Sequence, residues 1–221
     1  MTPTEVTTKF RQYIDEPDQT FVSDADVETY LDDGYREFRN IVCDINPMIY
    51  NVSQGITLAD VDSLDLTTST PKFLGAAADA AAGSLVRINS FNRVDATGRI
   101  LGRFQGVSNV RALQVMPSSY YLKGTTLMFS RRLTGSYSLE YVPAVNITWA
   151  DGVVSTFIDD LSSFHDLIPL LAYRQYAIVD GAENGPIIRQ TEIRLRRFME
   201  YLQDRAHDGC DYVQNIPWYG L

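Results

Sequence analysis

The stretch YYLKGTTLMFSRRLTGSYSLEYVPA, residues 120–144, holds two turn signals, and how the chain passes them decides the fold. Gly124 separates SYYLK from TTLMFSRR, and Thr134–Gly135 separates FSRRL from YSLEYV, so each glycine reads as the tip of a tight hairpin. Within YSLEYV, Tyr137, Leu139 and Tyr141 point one way and Ser138 and Glu140 the other, the alternation of a half-buried antiparallel strand. The segment is therefore expected to fold as successive hairpins.

Upstream, LVRINSFNRV (85–94) and RILGRF (99–104) flank DATG and predict one more hairpin, and the strand-like period extends from residue 48 to about 158. GAAADAAAG, residues 75–83, lacks bulky side chains and reads as a loop that adds little to a core. On either side the apolar period is helical. Thr2, Pro3 and Glu5 form a capping-box start for a helix with Val6, Phe10 and Ile14 on one stripe. Ser23 caps a second helix with Val27, Tyr30, Leu31, Phe38 and Val42 on its stripe; Gly34 lies there too, where a missing side chain lets another element approach closely. After the β region, Asp166 is the expected N-cap of a helix with Leu167, Leu170, Leu171, Ala177 and Ile178 inward, stopped by Gly181. Pro186 opens a last helix with Ile188, Thr191, Leu195, Phe198, Met199, Leu202 and Ala206 on one side, and Gly209 is its natural stop. The expected fold class is α+β: a helical bundle from the N- and C-terminal helices (2–14, 23–46, 166–181, 186–208) with an inserted antiparallel β-meander or sandwich (48–158), in one domain over 1–209.

Charge and composition narrow the function. The net charge of −9 disfavours wrapping nucleic acid, whose binders neutralise phosphates with clustered Lys and Arg. Residues 1–47 hold eleven acids against four bases, while the last helix sets Arg189, Arg194, Arg196, Arg197 and Arg205 against Glu192, Glu200 and Asp204. MTPTEVTTKF lacks a basic and then apolar leader, and no stretch approaches the ~18 apolar residues of a membrane span, so neither export nor insertion is expected. Cys43 and Cys210 are too few and too far apart for a disulfide framework, and Cys43 reads as a small core residue.

Catalytic constellations are not apparent. His165 and His207 are the two histidines, no G-x-S-x-G elbow accompanies them, and neither phosphate-binding glycine pattern occurs. Asp32–Asp33 and Asp159–Asp160 are adjacent residues that diverge by about 100° on a helix, and they read as solvated surface. Two Cys and two His at no ligand spacing make a zinc site untenable, so no metal and no cofactor is expected.

Three stretches in order, SDADVETYLDDGYREFRNIV (23–42), the opening run 120–144, and FHDLIPLLAYRQYAIVDGAENGPIIRQTEIRLRRFMEYL (164–202), resemble the head-to-tail connector, or adaptor, proteins of tailed bacteriophages. The likeness covers about residues 20–207 and rests on hydrophobic and turn patterns. It implies a non-enzymatic protein of the virion neck, assembled in the host cytoplasm as a homo-oligomeric ring that matches a portal's twelvefold symmetry. The implied partners are the portal protein and tail or nozzle proteins, with DNA passing through the channel without specific binding and no membrane. In such proteins C-terminal tails dock onto the portal, which assigns portal binding to Tyr212, Val213, Ile216, Pro217, Trp218 and Tyr219 on an extended arm over 210–221. The subunit interface is expected at Arg194, Arg196 and Arg197, facing the acidic N-terminal third of the next copy. The β region is longer than in the simplest relatives of that kind, which leaves 48–83 unplaced. Two rivals remain: a carbohydrate-binding β module stacking sugar on Tyr120, Tyr121, Trp149 and Trp218, and a small hydrolase built around His165 and Asp166.

Overall fold

The computed structural model describes residues 1–16, 21–74, 84–144, 147–149, 157, 159–181 and 184–214, with 207–214 described in backbone alone. In chain order the elements are α1 (Pro3–Tyr13), α2 (Asp24–Ile45), β1 (Val52–Asp65), β2 (Leu85–Val94), β3 (Ile100–Gly106), α3 (Val110–Val115), β4 (Ser119–Lys123), β5 (Thr126–Pro143), α4 (Leu167–Asp180) and α5 (Gly185–Gln214). They divide into two compact units, Met1–Ile49 with Asn146–Leu221, and Tyr50–Val145.

Gly124 is a hairpin tip, with φ +60 and Lys123 paired to Thr126, but Thr134–Gly135 is not a turn: β5 continues through it as one strand. The reason is the phase of the apolar residues. A two-residue turn there would pair Leu133 with Ser136, placing Leu127, Phe129 and Leu133 on one face with Ser136, Ser138 and Glu140, and Tyr137, Leu139 and Tyr141 on the other. Kept continuous, the strand puts all six apolar residues at odd positions on a single face, and all six are buried. At about 1.5–3 kcal/mol per large side chain, burying three more side chains outweighs the local preference of a Thr-Gly pair.

Gly135 takes up the resulting bend at φ +115. Opposite it, β1 sets two residues, Ala59 and Asp60, against the single Thr134 between the matches Leu58↔Gly135 and Val61↔Leu133, one residue more than its partner strand. The bulge is pinned: Asp60 N donates to Thr134 Oγ1 at 3.1 Å, and Arg132 Nη1 donates to Asp60 Oδ2 at 2.6 Å. Bent in this way, β5 pairs with β4 through its first residues and with β2 through its last, with β1 along its other edge. β3 completes the ring, antiparallel to β2 and parallel to β4 at Gln105↔Ser119 and Gly106↔Tyr120, the crossover being carried by α3. Strands β5, β2, β3 and β4 thus form a closed four-stranded barrel with β1 as an extra strand. This overturns the expected fold class of a helical bundle with an inserted meander or sandwich: the protein is α+β with a barrel, because one bent strand does the work expected of a hairpin.

The barrel interior is solid. Phe91 stacks on Tyr137 (centroids 5.1 Å, 10°) and on Phe129 (5.2 Å, 17°), and meets the edge of Tyr120 at 6.1 Å. Beyond β1, Leu66 O accepts from both Phe73 N (2.8 Å) and Leu74 N (3.0 Å), which folds Phe73 back against Tyr141. At the other hairpin, DATG turns as expected. Asp95 Oδ1 accepts from Thr97 N (2.8 Å), Thr97 Oγ1 (2.6 Å) and Arg99 N (3.0 Å), and Gly98 lies at φ +84.

In the helical unit the expected capping box is present: Thr2 N donates to Glu5 Oε2 at 2.8 Å and Glu5 N donates to Thr2 Oγ1 at 3.3 Å. Ser23 caps α2 through Asp26 N at 3.2 Å. α4 is the central helix, buried on all sides from Leu167 to Tyr173 and touching α1, α2 and α5. Ile178 was expected inward but is 72% exposed, at the start of a last turn of α4 that lies at the surface although Ala177 before it is buried. Asp166 was expected to cap α4 and does not, its carboxylate being turned instead to Arg194. Gly181 does end the helix, at φ +66. Gly209 does not end α5, which continues to Gln214.

α2 and α4 cross at Gly34, where an added Cβ would lie 2.7 Å from Ala172 N and 2.8 Å from Ile168 O. Both neighbours are backbone, so Gly34→Ala must push two helices apart; the expected loss is about 1–3 kcal/mol, seen as a lower urea midpoint with unchanged slope. A wild-type midpoint would show that the crossing has slack. A second expectation concerns pH. The Thr97 hydroxyl and the Arg99 and Thr97 amides hold the Asp95 carboxyl below the usual carboxylate range. A lowered folded-state value means that the turn's support is complete above the ordinary carboxylate range and is lost as pH falls through the lowered value. Amide shifts of Thr97 and Arg99 followed by NMR should move together in that acid step, and Asp95→Ala should abolish it.

Candidate functional site

α5 buries Thr191, Phe198 and Leu202, with Phe198 stacked on Phe38 of α2 at 4.8 Å and 11°. The helical period then turns Arg189, Ile193, Arg196 and Arg197 outward together. An open concavity of about 610 Å³ lies along the first turns, from Gly185 to Arg197, with Arg189, Ile193, Arg194 and Arg197 in its lining. Among the expected interface residues the structure makes a distinction. Arg194 is spoken for, its Nη2 lying 2.8 Å from Asp166 Oδ2 of the same chain. Arg196 and Arg197, with Arg189, are exposed and form no ion pair among the described residues. Further along, Arg205 grips Asp160 with two bonds of 3.0 and 2.6 Å and holds that carboxyl below its usual range. Free guanidinium forks on a helix face suit carboxylates on another surface, to which each can donate two parallel bonds.

Of the residues expected to bind a portal, Tyr212 and Val213 fall on the last turns of α5, where the backbone alone is described. Ile216, Pro217, Trp218 and Tyr219 lie outside the described residues, as does the alanine-rich stretch 75–83.

Of the residues of the two rival readings, Tyr120, Trp149 and His165 are buried, Tyr121 and Asp166 are half-buried, and Trp218 lies outside the described residues. His165 is 3% exposed; its Nε2 is 2.7 Å from Asp159 Oδ1 and its Nδ1 3.4 Å from the Met1 carbonyl, with Phe157 and Phe38 against the ring. Both ring nitrogens are occupied. The Asp159 side chain is fully buried and also accepts from Leu161 N at 3.0 Å, so the expectation that it is solvated surface was wrong: it partners the histidine. Trp149 is buried and donates from Nε1 to Asp32 Oδ1 at 2.6 Å. Tyr120 faces the barrel core, and burial pushes its phenol up. Neither of these two rings is open to a sugar. Cys43 is half-buried and forms no disulfide among the described residues.

Reading the charges by segment ends missed how they divide between the two units. Residues 50–145 hold nine basic against six acidic residues, whereas the rest of the chain holds ten basic against twenty-two acidic. The barrel is thus a basic body on an acidic chain, and a count over the strand-patterned segment alone could have found it. Among the described residues no helix is long and apolar enough to cross a membrane, and no group of three or more His, Cys, Asp or Glu could hold a metal. Compared with known proteins, the chain matches no family model and no curated protein.

The buried pair generates a prediction. His165→Ala takes the imidazole away from the buried Asp159 carboxylate in a closed site, and the expected cost is about 3–5 kcal/mol of unfolding free energy by chemical denaturation. A variant that keeps wild-type stability would return His165 to the list of chemically available groups.

Proposed function

We propose that the chain is a subunit of a head-to-tail connector of a tailed bacteriophage, a structural protein of the virion neck that assembles as a ring beneath the portal and joins it to the tail. The observation that carries this reading is the ordered correspondence between the three connector-like stretches and the elements. Residues 23–42 fall on α2, 120–144 on β4 and β5, and 164–202 on α4 and α5, with a barrel inserted between helices. The outward arginines of α5 support it, because a basic face and an acidic N-terminal third on the same chain are the two halves of a heterologous contact. Repeated by rotation, such a contact closes a ring. Rim charge pairs are worth only ~0.2–1 kcal/mol each, but a ring repeats them at every interface. An acidic wall also suits a channel through which DNA slides, since it repels phosphate. The portal is the partner assigned to Tyr212, Val213, Ile216, Pro217, Trp218 and Tyr219, and tail or nozzle proteins to the opposite side of the ring. The role requires no catalytic residue and no cofactor.

Electron microscopy of the purified protein with its portal tests this directly: rings seated on the portal are expected. Removing residues 215–221 should abolish attachment and leave the thermal midpoint unchanged. Reversing Arg196 and Arg197 to Glu should weaken ring formation without unfolding the subunit. Arg194 is a poor choice for that experiment, because its loss also frees Asp166. A protein that stays monomeric and unattached when mixed with the portal would sink the connector reading.

A further inference from the structure

The β2–β3 hairpin carries three features that the barrel itself does not need. Arg93, Arg99 and Arg103 are exposed and have no ion pair or side-chain hydrogen bond among the described residues, in contrast to Arg132 of the same unit, which is held by Asp60. Between them, Ile100 is 42% and Leu101 60% exposed, large apolar side chains placed at the surface of a strand. The barrel closes on this side only at Gln105 and Gly106, so that β3 from Ile100 to Phe104 pairs with β2 alone and presents its other edge without a strand partner among the described residues. Unpaired strand edges with apolar side chains attract other chains unless they are blunted or covered. Asp95 fixes the turn that holds the two arginine-bearing strands together.

We infer that this hairpin is a docking element whose occupant is the acidic helical face of a second copy of the chain. Charge complementarity selects that occupant: the segment 50–145 that contains the barrel holds nine basic against six acidic residues, and the segments forming the helical unit hold twenty-two acidic against ten basic. The helical acids are densest in residues 1–47, eleven against four bases. Arginines interleaved with exposed aliphatics are the composition of a protein interface, where Arg is enriched and the centre is apolar. A phosphate backbone would match the arginines and leave Ile100 and Leu101 facing solvent or charge. The inference rests on the connector reading in taking a second copy as the partner, and it adds a contact separate from the α5 arginines.

The test uses the full chain. In Arg93→Glu with Arg99→Glu and Arg103→Glu, the fraction assembled into rings on the portal should fall by about tenfold or more, while the monomer melts as wild type does. In parallel, Arg99→Lys, which keeps the charge, is mixed as equal parts of normal and nitrogen-15-labelled protein and treated with a zero-length carbodiimide. Residue 99 should become linked to an acid within residues 1–47, with half of the linked peptide pairs of mixed isotope. Rings that form normally in the triple variant would overturn this inference and leave the connector standing. Wild-type protein that never forms rings would overturn both. Links of unmixed isotope, or a triple variant that melts early, would place these arginines in contacts within one chain and overturn it. Salt-sensitive binding of duplex DNA, lost in the triple variant while rings persist, would overturn it in favour of a nucleic-acid surface.

Discussion

The barrel depends on one constraint, the unbroken odd-numbered apolar face of β5 across Gly135. Six large side chains from Leu127 to Tyr141 can share a single core only if the chain does not turn at Thr134–Gly135. Everything else in that unit follows from keeping them together. An eighteen-residue strand is too long to stay flat on its neighbours, so it bends at a glycine with φ +115, and β1 answers with a bulge at Ala59 and Asp60. The bend lets the two ends of β5 reach different partners. Once β4 and β2 both pair with β5, β3 has one place left, and the ring closes with β4 running parallel to it.

What was legible in the sequence was local, and what was not depended on contacts distant in the chain. Thr2, Glu5 and Ser23 announced helix starts because a cap satisfies backbone N–H groups within three residues of itself. The DATG turn was legible for the same reason. Gly34 was legible as a close approach because it interrupts a helical stripe, although its partners Ile168 and Ala172 were not. The hairpin at Thr134–Gly135 failed because a turn signal was weighed over two residues while the deciding quantity, alternation phase, extends over fifteen. The parity of Leu127, Phe129 and Leu133 with Tyr137, Leu139 and Tyr141 was in the sequence throughout. Asp159 failed differently: its neighbour Asp160 is at the surface, and nothing adjacent in sequence reveals that His165 closes over it. Asp166 was read as a cap from its place before an apolar run, but Arg194 lies 28 positions away and competes for the same carboxylate with a full charge.

The candidate site was legible to a similar degree. The arginines of α5 could be placed on one face from their spacing, because the helical period alone fixes which side chains point together. Which of them are free could not be read, since that depends on whether an acid from another element arrives. Arg194 and Arg205 meet Asp166 and Asp160, and Arg196 and Arg197 meet none among the described residues. The basic character of the unit that contains the barrel escaped notice because its arginines are spread over β2, the turn after it, β3, α3 and β5. A closed barrel gathers onto one small body what the sequence spreads over nearly a hundred residues.

A barrel whose core is filled by Phe91, Phe104, Tyr120, Phe129 and Tyr137 directs attention to its outside. Stacked rings with centroids near 5 Å make the interior stiff, and a stiff body presents its surface groups at fixed separations. Such a platform suits recognition by geometry: Arg93 and Arg103 stand on paired strands and Arg99 in the Asp95 turn that joins them, so little backbone freedom remains to be lost on docking. The helical unit is built on the same economy. A buried α4 and a glycine crossing hold α2 and α5 in place while their outer faces remain charged and unencumbered. In both units the apolar interior answers the folding problem by itself, which leaves the exposed charges available for a partner.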